Sequence, residues 1–146
     1  RKDLVEDAMH STRAAIAEGI LPGGGTALLK AAKALDKLKV DGDAQFGVDL
    51  MKKVVQTPVR TIAENAGIDG AVVARRVLAD KSTTHGFNAL INAYGDMLQA
   101  GVVDPTKVTR SALQNAVSIA SLLLTTDCVV TDAKESDDSA GMAGEM

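Results

Sequence analysis

Apolar residues recur at three- and four-residue spacing along most of the chain, and glycine, proline or a short polar stretch interrupts that rhythm between segments. Such a period puts the apolar side chains on one face of a helix, so it selects a helical architecture over a sheet. Leu4, Val5, Ala8, Met9, Thr12, Ala15 and Ile16 form the first stripe, which ends at Gly19. Further helices are predicted over 26–32, over 44–56 after Asp41-Gly42-Asp43, from Pro58 to near Gly67, and over 71–78. Proline is tolerated in a first turn, so Pro58 suits the start of its helix. Pro105 precedes the longest helix, 106–125, with Val108, Ala112, Leu113, Ala116, Val117, Ala120 and Leu124 on its apolar faces. The core is expected to be aliphatic, because 46% of residues are apolar but only 2% aromatic. Small aliphatic side chains suit close-packed helices.

Two short stretches, 86–89 and 101–104, read as small strands flanking the segment 92–100, and Cys128-Val129-Val130-Thr131 reads as a last strand whose partner lies elsewhere. The expected fold is mainly α: antiparallel helices, a small β-hairpin and a C-terminal strand. With 146 residues the chain is about one domain long. Its tail, 134–146, is acidic, short of core formers, and predicted to be disordered.

Charge and composition exclude several functions. Sixteen basic and nineteen acidic residues leave a net charge of −3, with no basic cluster beyond pairs such as Lys52-Lys53, so nucleic acid is not an expected partner. No apolar run reaches the roughly 18 to 20 residues of a membrane span, and no signal peptide is visible. Cys128 is the single cysteine, which fits a reducing compartment, and no Cys/His spacing suggests zinc. The chain opens at Arg1 inside a helical pattern, which is read as a fragment boundary.

Several residues are candidates for chemistry, each with a plain structural alternative. Gly23-Gly24-Gly25 ahead of a helix either makes a tight interhelical turn or lets backbone N–H groups approach a phosphate; it lacks the Gly-Lys-Ser/Thr ending of a Walker loop. Asp104, between a short strand and the longest helix, either caps that helix or accepts hydrogen bonds from ribose hydroxyls. Asn88 either satisfies a turn or reads a base edge. Asp7 is a solvated acid by position, with His10 and Arg13 as possible helical partners. His10 and His85 lack a nucleophile or ligand pattern and are assigned no catalysis.

In order, the segments Val5-Glu6-Asp7-Ala8, Thr12-Arg13-Ala14-Ala15, Gly23-Gly24-Gly25, Gly86-Phe87-Asn88-Ala89, Asp104-Pro105-Thr106-Lys107-Val108-Thr109-Arg110-Ser111-Ala112-Leu113-Gln114 and Thr125-Thr126-Asp127-Cys128-Val129-Val130-Thr131-Asp132 resemble the successive signatures of group I chaperonins of the GroEL family. The Asp104–Arg110 block is the most specific. The resemblance implies that 1–18 ends the intermediate, or hinge, domain, that 19–133 is the C-terminal half of the equatorial ATP-binding domain, and that 134–146 is the tail. It implies ATP with Mg2+ as the bound nucleotide. Asp7 matches the hinge carboxylate that orients the attacking water, a positioning role in phosphoryl transfer. Gly24 matches the backbone contact to the nucleotide, Asn88, Ala89 and Leu90 the adenine contacts, and Asp104 the ribose-binding acid. Leu90 departs from the family's usual small residue. Arg60 and Asp69 look like its charged pair at the ring-to-ring contact.

The family's Gly-Asp-Gly-Thr-Thr-Thr phosphate loop and magnesium-binding acid do not occur in this sequence, nor does its apical domain. The segment alone is therefore expected not to turn over ATP. In an intact subunit it would serve ATP-driven protein folding in two stacked seven-membered rings of identical subunits, with a co-chaperonin lid and unfolded proteins bound by the apical domain. The setting implied is the bacterial cytoplasm or the matrix of an organelle of bacterial descent. The Gly141-Met142-Ala143-Gly144-Glu145-Met146 end is an abbreviated form of the family's Gly-Gly-Met repeat. Two other readings are a group II chaperonin fragment, which shares the glycine turn, and a non-enzymatic helical scaffold that self-associates through apolar faces.

Overall fold

A computed structural model describes residues 2–132. Six helices carry the fold: α1 (Lys2–Glu18), α2 (Thr26–Leu35), α3 (Ala44–Val54), α4 (Thr57–Asn65), α5 (Gly70–Ala79) and α6 (Thr106–Leu124). Four short strands complete it: β1 (Ile20–Pro22), β2 (His85–Asn88), β3 (Ala93–Asp96) and β4 (Val103–Pro105). The mainly α expectation holds, and the helix boundaries follow the punctuation in the sequence. The chain divides into two compact units, residues 1–113 and 114–146.

Local chemistry explains the helix ends. Asp69 caps α5, its carboxylate accepting the N–H groups of Ala71 at 2.8 Å and Val72 at 3.1 Å; a cap of this kind contributes about 1 kcal/mol. Pro58 occupies the first turn of α4. At the other end of α4 the N–H of Gly67 bonds the Glu64 carbonyl and that of Ile68 the Ala63 carbonyl, both at 2.9 Å. That double closure needs a left-handed residue between them, and Gly67 supplies it at φ 78°. Ile68 then folds back onto the core.

The core of the first unit is Leu29, Val59, Ala63, Val73, Ala74, Val77 and Phe87. It is aliphatic as expected except for Phe87, one of two phenylalanines in the chain, which packs at 5.0 Å from the ring of Tyr94. Only α2, α4 and α5 send buried residues into it; α1, α3 and α6 have none. Their stripes exist as patterned but face solvent, with Ile16 81% and Phe46 75% exposed. Periodicity locates an apolar face without saying what covers it.

The strand expectations need two corrections. A hairpin forms, but β2 pairs with β3, Phe87 opposite Tyr94 and His85 opposite Asp96. The stretch ending at Asp104 pairs instead with Ile20–Pro22, Leu21 opposite Asp104. A three-residue strand whose partner is some eighty residues away leaves no local signature. The expected C-terminal strand is not formed: 127–132 lie outside regular structure. A strand exists through its ladder, and the described residues offer this one no partner. In this second unit α6 ends with Thr125 and Thr126 N–H groups bonding the Leu122 and Leu123 carbonyls at 3.2 Å. The predicted disorder of 134–146 falls outside the described residues.

Candidate functional site

Three segments far apart in sequence meet beside the N-terminus of α2. The Gly23 N–H donates to the Val102 carbonyl at 2.9 Å, which ties the glycine turn to the approach to β4. Gly24, at φ 65°, packs so that a Cβ there would stand 3.4 Å from Met97 Cε and 3.5 Å from the Phe87 carbonyl oxygen of β2. At Gly25, φ 75°, a Cβ would come within 2.6 Å of the Val59 nitrogen on α4. Only glycine fits that close approach with that backbone. The turn thus bears out the tight interhelical packing expected of it.

Asp104 and the turn share one cleft of about 350 Å³, lined also by Leu28, Pro58, Ile62 and Val108. The carboxylate of Asp104 has no hydrogen-bond or ion-pair partner among the described residues, and burial pushes its pKa up. It does not cap α6. The first helical N–H, that of Thr106, bonds the Gly19 carbonyl at 3.0 Å instead, which leaves the acid free to receive donors from outside the chain.

Asn88 ends β2, and its side-chain oxygen accepts the Leu90 N–H at 3.0 Å. The turn reading is therefore correct for that oxygen; the amide nitrogen stays available as a donor. Ala89 packs on the core, whereas Leu90 is 93% exposed. Asn88 and Ala89 follow directly on Phe87, whose carbonyl lies close to Gly24, but Asn88, Ala89 and Leu90 do not line the cleft that holds Gly24 and Asp104.

Asp7 is not brought there. It is exposed on α1, twelve residues before Gly19, or roughly 18 Å along the helix axis. Neither His10 nor Arg13 pairs with it; those two line a separate groove with Lys107 and Ser111 of α6. The last turn of α1 is fixed to α6 by Arg110, whose Nε and Nη2 donate to Glu18 at 3.0 and 2.6 Å. This bidentate bond holds the Glu18 carboxyl below its ordinary pKa. Within the chain Arg60 and Asp69 form no ion pair with each other; Asp69 caps α5 through its Oδ1.

Two residues of α2 escaped the sequence reading. Thr26, the first residue of α2, is fully buried and its hydroxyl has no partner; its place directly after three glycines was the available signal. Lys30 donates to the carbonyls of Val77 at 2.6 Å and Asp80 at 2.9 Å, and nothing in the sequence marks it. Among the described residues no three or more His, Cys, Asp or Glu side chains group to hold a metal ion. No helix among them is long and apolar enough to cross a membrane.

The model of the TCP-1/cpn60 chaperonin family matches residues 1–134. A chaperonin GroEL 2 from Cereibacter sphaeroides is 50% identical over the whole of this chain, which spans 27% of that relative's length. The order of motifs, the convergence of the glycine turn with Asp104, and these two matches agree: the chain belongs to the TCP-1/cpn60 chaperonin family.

Proposed function

We propose that this segment supplies one wall of an ATP site in a GroEL-type chaperonin subunit that assists protein folding in stacked rings. One observation carries the reading: a half-buried carboxylate without a partner, Asp104, shares a cleft with a glycine turn at a helix N-terminus. Burying an unpaired acid is unfavourable unless donors arrive from outside, and the two hydroxyls of a ribose are such donors. The bare backbone at Gly24 admits a nucleotide closely, and Asn88, Ala89 and Leu90 edge the side where a base would lie. ATP brings the phosphoryl group to be transferred; these residues bind and orient it.

Asp7 is proposed as the water-orienting carboxylate, on the strength of its match to the family's hinge acid. Its exposure on α1, away from the cleft, fits a group that arrives by movement of that helix. Rings of identical subunits, contact between rings through Arg60 and Asp69 of separate copies, a co-chaperonin lid and a bacterial cytoplasmic or organellar setting complete the proposal. In the full-length subunit, Asp7→Ala should retain ATP affinity while slowing single-turnover hydrolysis by on the order of 10²-fold. Asp104→Ala should weaken ATP binding first. Near-normal hydrolysis in Asp7→Ala would return that residue to a plain solvated face, and unchanged ATP affinity in Asp104→Ala would remove the ribose assignment.

A further inference from the structure

α2 carries more than the glycine turn at its N-terminus. Its Thr26 side chain presses against Gly86 of β2, where an added Cβ would overlap Thr26 Oγ1 and stand 2.6 Å from Met97 Cγ. One turn further along, Lys30 directs its ammonium across to α5 and donates to the Val77 and Asp80 carbonyls. These are carbonyls at the end of α5, where a helix leaves acceptors without internal donors and where its dipole favours a cation. Desolvation lowers the Lys30 pKa, with Lys33 acting in the same direction and Asp80 opposing. The position thus carries a partly desolvated charge in return for closing two backbone acceptors.

Asp80 is also where the chain leaves α5, in extended conformation at ψ 139°, and five residues later it enters β2. Lys30 therefore anchors the start of the segment that delivers β2, and Thr26 meets that strand at Gly86. Asn88 lies two residues beyond Gly86, about 7 Å along the strand. One helix consequently references both the glycine turn, by direct continuation, and the strand that ends at Asn88, through two contacts one helical turn apart.

We infer that Lys30 is a positioning residue for the base-side edge of the nucleotide site: by holding the Val77 and Asp80 carbonyls it sets the distance of Asn88 and Ala89 from the Gly23–Gly25 turn. The inference rests on the reading of this cleft as an ATP site. Lys30 does not touch the nucleotide, so its loss should be felt by the base and not by the phosphates.

The test uses the full-length subunit and compares equilibrium binding of ATP with that of inorganic tripolyphosphate, which has the phosphates but no base. Lys30→Met should weaken ATP binding about tenfold while tripolyphosphate stays within about twofold, and Lys30→Arg, able to serve both carbonyls, should recover most of the loss. Equal weakening of both ligands, no weakening of either, or no recovery in Lys30→Arg overturns the inference. Failure of the unaltered subunit to prefer ATP over tripolyphosphate refutes instead the nucleotide reading on which it rests. Should Lys30→Met not fold, Lys30→Gln, which keeps one donor for the two carbonyls, takes its place: ATP binding weakened with tripolyphosphate unchanged supports the role of Lys30, and equal or no weakening overturns it.

Discussion

Thr26→Val should stabilise this chain. The Thr26 side chain is completely removed from solvent, and its hydroxyl meets neither donor nor acceptor. Valine has nearly the same shape, so the methyl contacts and the fit against Gly86 are kept while the stranded hydroxyl goes. Leaving such a group buried without a bond costs about 1–3 kcal/mol. The helix propensities of Thr and Val are close, so the change at the first position of α2 adds little of its own. A gain of about 1–2 kcal/mol is therefore expected, which for a chain of 146 residues corresponds to roughly 2–8 °C in Tm. Denaturant titration of the chain gives the free energy, and an unchanged slope confirms that the same surface is exposed on unfolding. Thr26→Ser is the companion variant: it keeps the hydroxyl, loses the methyl and should be destabilising by about 1 kcal/mol. A Thr26→Val chain no more stable than its parent would refute the reasoning, because the hydroxyl would then have to be satisfied.

Asp104→Asn should raise stability at neutral pH: burial lifts the folded pKa, so the folded state loses stability as pH rises from the unfolded pKa through the folded one. Between pH 4 and pH 7 the variant should therefore gain stability relative to the parent, as read from denaturation curves of both at the two pH values, and identical pH dependence in both would count against the buried, unpaired state of this carboxylate. Glu18 has the opposite sign, its pKa being lowered by the Arg110 bond; that contribution is present above the ordinary carboxylate range and fades as pH falls through the folded pKa. In Arg110→Ala the Glu18 carboxyl should titrate closer to its ordinary value, read by carbon NMR, and an unmoved titration would show that the guanidinium is not the cause. The exposed stripes on α1, α3 and α6 should drive self-association of the chain at micromolar concentrations, and a strictly monomeric sedimentation profile would speak against it.

Helix positions were legible because their signals are local. Gly19 and Gly67 stop helices, Pro58 starts one, and the three- and four-residue spacing survives whatever packs on it. The pairing of strands was not legible in the same way. The stretch 86–89 announced a strand, yet its mate Ala93–Asp96 holds a tyrosine, a glycine and an aspartate with no alternation to speak of, and Ile20–Pro22 carries no strand signal of its own. What joins Leu21 to Asp104 is the course of the intervening helices, a tertiary fact with no short-range trace. The same distinction explains Phe87: one aromatic in β2 and another, Tyr94, opposite it in β3 do not reveal from sequence which of them the core will claim.

The site divides along a similar line. Glycines with positive φ and an acid at a strand end were visible as residue types, but each had a structural explanation of its own, and geometry separates the cases. Asn88 does satisfy a turn through its Oδ1, whereas Asp104 leaves the capping role to the Gly19 carbonyl. An acid excused from capping, raised in pKa by burial and left without a donor works against the stability of its own fold at neutral pH. Such a residue contributes nothing to holding the fold together at neutral pH, and its place in one cleft with the Gly23–Gly25 turn is what supports the proposed ligand, one with hydroxyl donors next to phosphates.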